Sequence, residues 1–72
     1  MKEYVIKKES YSEYKDNKTR YYSITDSKYF DSKRPLTDAK NYALKNGYDI
    51  IKVIYPSFRK KDKLIKLKKD NT

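Results

Sequence analysis

Polar and apolar residues alternate along residues 3–8, where Tyr4 and Ile6 fall on one side of an extended chain and Val5 on the other. Period-two alternation of this kind predicts a strand with one buried face. A polar stretch follows, and in Lys15-Asp16-Asn17-Lys18 the Asn tolerates the left-handed backbone of a tight turn, which predicts a hairpin there. The second strand is expected from Thr19, with Tyr22 and Ile24 on one face and Tyr21 and Ser23 on the other. Tyr29 and Phe30 extend this strand beyond an irregularity at residues 26–28.

Pro35 interrupts the strand pattern, because it cannot donate to a ladder and restricts the residue before it. Thr37 reads as an N-cap, Asp38 places a carboxylate in the positively polarised first turn, and Gly47 stands where helices stop, so a helix is predicted over residues 38–46. Leu36, Ala39, Tyr42 and Ala43 share one side of it, and the two Ala residues let it lie close on a sheet. The most apolar run, Tyr48 to Tyr55, sets Ile51, Val53 and Tyr55 against Ile50 and Ile54. Apolar residues on both faces predict a central strand, or one that pairs between the copies of a homodimer. Pro56 ends this run, and Leu64-Ile65-Lys66-Leu67 fits either a short edge strand or a helical turn. The expected fold is α+β: one small domain in ββαβ order, an antiparallel sheet with one short helix on one face, a core over residues 1–57 and a basic C-terminal arm over residues 58–72.

Composition makes that core thin, since only 36% of the 72 residues are hydrophobic while 40% are charged. Nine Tyr and two Phe compensate, each ring able to bury roughly 150–250 Å². The absence of Cys removes disulfides and points to a reducing, cytoplasmic setting. No run approaches the roughly 18 apolar residues of a membrane span, so no membrane partner is expected.

Charge adds a direction. Of the net +9, the segment from Phe58 to Lys69 holds +6, with Arg59, Lys60, Lys61, Lys63, Lys66, Lys68 and Lys69 against the single acid Asp62. The abundance of Lys, Tyr, Ile, Asn and Asp over Gly, Ala, Pro and Arg matches an AT-rich genome, but codon bias scatters Lys and does not cluster it. A cluster gains free energy by displacing counterions from phosphates.

The chain has neither His nor Cys, which removes the commonest proton-transfer group and the commonest thiol nucleophile. The acid pairs Asp26 with Asp31 and Glu9 with Glu13 read as solvated charges balancing nearby Lys. Gly47 is the only glycine, so no phosphate-cradling loop is present, and no calcium-loop spacing occurs. No catalytic residue, metal or cofactor is expected. The candidate interface comprises Arg20 and Tyr21, beside Tyr22 and Tyr4, as a base-stacking sheet face, with the Arg59 to Lys69 cations as an electrostatic clamp. Sixteen Lys against three Arg favour phosphate contacts over base reading. The expected function is that of a small basic, non-enzymatic protein that binds nucleic acid or regulates through backbone phosphates. The competing expectation is an inhibitor or accessory factor from a phage or mobile element of an AT-rich bacterium, bound to an acidic protein surface.

Overall fold

The computed structural model describes residues 2–67. Five strands and one helix follow in the order β1 (Glu3–Glu13), β2 (Asp16–Ser23), β3 (Lys28–Phe30), α1 (Pro35–Lys45), β4 (Ile50–Ile54) and β5 (Lys63–Lys66). They build a single sheet ordered β3-β2-β1-β4-β5, an α+β arrangement. The expected antiparallel sheet is in fact mixed: β1 runs antiparallel to β2 but parallel to β4. The cause is α1, which carries the chain from β3 back across the sheet so that β4 starts at the same end as β1.

Local chemistry explains the elements that differ from the sequence pattern. The first hairpin closes through Tyr14 and Lys15, with Glu13 opposite Asp16, and the positive φ of 57° falls on Tyr14 and not on Asn17. The segment after Ser23 is a second turn, with Ser27 at φ 56°, and Tyr29 lies opposite Tyr22 in a separate strand. Pro35 starts the helix instead of only preceding it, because a first-turn position has no intrahelical partner for the missing N–H. Arg34 therefore takes the N-cap position in place of Thr37, and the Ser32 hydroxyl donates to the Asp38 carboxylate.

The C-terminus of α1 follows the expected stop. Gly47 has φ 82°, its N–H reaches the Leu44 carbonyl at 3.2 Å, and the Tyr48 N–H reaches Ala43 at 3.0 Å. This paired closure satisfies two carbonyls of the last turn.

The helix packs over β2 and β3 through Ala39 and Ala43, both fully buried. Beneath it Tyr4 is the hub of the core, with the rings of Tyr48, Tyr42 and Phe30 at 4.8, 5.9 and 6.3 Å. Ile6, Ile51 and Val53 complete the buried face. The Tyr4 hydroxyl donates to Asp26 at 2.9 Å. Burial alone raises the Asp26 carboxyl, but hydrogen bonds from Ser23, Tyr4 and Tyr42 and the Lys28 charge outweigh it, leaving Asp26 below the usual carboxylate range. Burial holds the Tyr4 hydroxyl above the ordinary tyrosine range.

Residues 63–66 of the expected arm belong to the sheet as β5, with Ile65 opposite Ile51 and half-buried against the core. The strand β4 has β1 on one side and β5 on the other. Both backbone edges of Ile50–Ile54 are occupied within the chain, by β1 and by β5. Among the described residues, no helix is long and apolar enough to cross a membrane.

Candidate nucleic-acid interface

β1 outruns its neighbour. Its pairing with β4 ends at Lys7 opposite Ile54, and β3 meets β2 only from Tyr21 onward. Residues 8–13 and 16–20 therefore project as a two-stranded ribbon, about 20 Å long at about 3.4 Å per residue. Because β1 and β4 are parallel, the loop after β4 leaves the sheet at the same end as the ribbon.

This loop, residues 55–62, is built by a tight turn. The Lys60 N–H donates to the Ser57 carbonyl at 3.1 Å, and the Ser57 hydroxyl accepts the Arg59 N–H at 3.3 Å. Serine favours the first turn position because its oxygen caps the backbone two residues on. Phe58 and Arg59 consequently occupy the two central positions, and the Phe58 ring is 96% exposed. Lys60 packs its ammonium 4.2 Å from the centre of the Tyr55 ring, and Lys8 of the ribbon approaches the same ring at 5.8 Å. One aromatic ring thus joins the basic loop to the base of the ribbon.

The loop's single acid is turned away from it: Asp62 lies 3.7 Å from Lys52. Among the described residues, Arg59, Lys60, Lys61 and Lys63 have no carboxylate within ion-pair distance. Lys63 and Lys66 both lie on β5, but Lys63 sits opposite Val53 and Lys66 opposite Ile50. Val53 is buried under the helix side and Ile50 belongs to the other face, so only Lys63 joins the loop cations on the helix side. Lys68 and Lys69 lie outside the described residues.

The stacking face expected around strand two does not assemble. Tyr21 is 7% exposed and Tyr4 fully buried, both on the side covered by α1. Arg20 lies on the opposite face and is already engaged: its Nε donates to Glu9 at 2.8 Å, and the rings of Tyr29 and Tyr11 flank its guanidinium at 4.8 and 5.0 Å. Lys18 donates to Glu13 at 3.1 Å, and that hydrogen bond raises the Lys18 ammonium above its ordinary range. The Tyr11 hydroxyl donates to Asp31 at 2.9 Å and is likewise raised by that bond. A polar cleft of about 600 Å³ is lined by Tyr11, Glu13, Asn17, Lys18 and Thr19 of the ribbon together with Asp31, Ser32 and Lys33.

Sequence reasoning passed over Phe58, Tyr55 and Lys8. A signal for the first was present in Pro56-Ser57, a strand stop followed by a preferred turn opener. The role of Lys8 depended on the parallel pairing of β1 with β4, which no local pattern carries.

Comparison with protein-family models, curated proteins and solved structures finds no match to this chain.

Proposed function

We propose that this protein is a small non-enzymatic module that binds nucleic acid through backbone phosphates, in a cytoplasmic setting, using the loop that joins β4 to β5. The reading is carried by one observation: the turn at Ser57 exposes Phe58 among Arg59, Lys60 and Lys61, while the loop's only acid is paired with Lys52. Cations without local carboxylates release counterions on meeting phosphates, and an exposed ring adds contact with sugars or bases. Lys8 and Lys63 extend the same cationic end of the sheet. Arg20 and Tyr21 are removed from this interface, since one is engaged by Glu9 and the other is buried.

The test is fluorescence anisotropy with labelled duplex DNA, single-stranded DNA and RNA over a salt series. The reading expects binding that persists near physiological salt with a log-log slope of about −0.9 per phosphate contact on duplex, corresponding to several contacts. Binding confined to very low salt contradicts it.

A second reading, a protein-binding inhibitor or accessory factor, rests on the sheet face opposite α1. There Ile24, Tyr29 and Leu64 are 52%, 53% and 61% exposed beside the half-buried Val5, Ile50 and Ile54. Exposed apolar side chains gathered on one sheet face favour protein contact. A stoichiometric protein captured after nuclease treatment, and lost on Leu64→Lys, supports it.

A further inference from the structure

The ribbon sorts its side chains by charge. On one face lie Glu9 opposite Arg20, Tyr11 opposite Lys18 and Glu13 opposite Asp16. Every acid of the ribbon is therefore on this face, where Glu9 and Glu13 are neutralised by Arg20 and Lys18. The other face carries Ser10 opposite Thr19 and Ser12 opposite Asn17, with Lys8 at its base. The ribbon's own side chains on it are hydroxyl, amide and ammonium groups without a carboxylate, with Glu13 and Asp31 lining the cleft that Asn17 and Thr19 border. All four central side chains on it are exposed. Asn17 accepts from Ser12 at 3.1 Å through its oxygen, which leaves its amide N–H groups to donate elsewhere.

Two features add to this sorting. The acid-free face is the helix side of the sheet, shared with Lys63 and, through Tyr55, with Lys60. At the tip, Tyr14 is 98% exposed and held at positive φ, a conformation that costs a bulky residue free energy and that a purely structural turn fills with Gly or Asn.

We propose that the ribbon enters the major groove of duplex DNA, its acid-free face bearing Ser10, Ser12, Asn17 and Thr19 against base edges while the basic loop holds flanking phosphates. The major groove is about 12 Å wide and admits a two-stranded β-ribbon. Its floor offers mainly acceptors, at purine N7, guanine O6 and thymine O4, which hydroxyl and amide donors match and carboxylates repel. A cationic body at the base of the ribbon then meets the phosphates bordering the groove. The inference rests on the nucleic-acid reading above and deepens it by naming the strand form and the groove.

The experiment is dimethyl sulfate footprinting of the full chain on a duplex pool, paired with anisotropy of wild type and a Ser10→Ala, Asn17→Ala, Thr19→Ala triple variant whose fold is checked by circular dichroism. Dimethyl sulfate reads guanine N7 in the major groove and adenine N3 in the minor groove. Protection of N7, with duplex affinity falling at least about tenfold in the variant while single-strand binding changes little, is the expected result. Duplex binding with no N7 protection, or with N3 protection alone, overturns the groove inference and leaves the phosphate reading standing. Tighter binding to single strands or RNA than to duplex also overturns it. No nucleic-acid binding at all, with a protein pairing along the free edge of residues 8–13 instead, removes both.

Discussion

Lys60 holds its ammonium 4.2 Å from the centre of the Tyr55 ring, so the first buttress of the basic loop is the residue that follows β4. Cation–π contacts at exposed sites contribute about 0.5–1 kcal/mol. Tyr55→Leu is expected to keep the fold and weaken duplex binding severalfold by loosening the loop, whereas Tyr55→Phe, which keeps the ring, binds as wild type. Parallel anisotropy titrations of the two variants check this.

On the nucleic-acid reading, Phe58 is expected to contribute to binding and not to stability. Its ring is 96% exposed, so Phe58→Ala is expected to change unfolding free energy by no more than about 0.5 kcal/mol while lowering nucleic-acid affinity. Thermal melts alongside titrations separate the two effects. A large loss of stability contradicts the described loop.

Asp26 accepts the hydroxyl of the buried Tyr4. Asp26→Ala removes the carboxylate acceptor and leaves the Tyr4 hydroxyl with Ser23 as its side-chain partner, at a cost of about 1 kcal/mol. The carboxyl is lowered in the folded state. Its contribution is therefore complete above the unfolded value of about 3.9 and is lost as pH falls through the lower folded value. Asp26→Asn is expected to flatten the acid limb of melting temperature against pH, compared with wild type, in a series of calorimetric scans.

Gly47 closes α1 at φ 82°, with nothing within 4 Å of where a Cβ would stand. The strain of Gly47→Ala is accordingly one of backbone alone, about 1–2 kcal/mol. Gly47→Asn is expected to lose less, because Asn tolerates this conformation. Urea denaturation of both variants, with unchanged m-values, tests the ordering.

The sequence was informative where one residue type meets one physical demand. Alternation placed Tyr4 and Ile6 together, the spacing of Ala39 and Ala43 marked the helix face, and Gly47 marked its stop. It misled where a residue admits two geometries. Pro35 ends a strand but also opens a helix, and the left-handed turn position fell to Tyr14, where no glycine marks it. The pairing of β1 with β4 was illegible because it depends on where α1 returns the chain. With that pairing hidden, the projection of residues 8–13 was hidden too, and with it the convergence of Lys8 and Lys60 on Tyr55. The burial of Tyr21 depends on the same crossover: alternation reports that two faces differ, and the helix decides which one is covered.

If the loop cations hold phosphates, reversing their charge abolishes binding, which the affinity of an Arg59→Glu, Lys60→Glu, Lys61→Glu variant for a labelled duplex near physiological salt reads directly beside wild type. The expected result is a folded variant that no longer binds detectably, with the wild-type salt slope reduced by about one for each phosphate contact removed in the corresponding single-charge variants. Undiminished affinity in a folded triple variant would contradict it, and would leave the exposed face of Ile24, Tyr29 and Leu64 as the surface through which this protein acts.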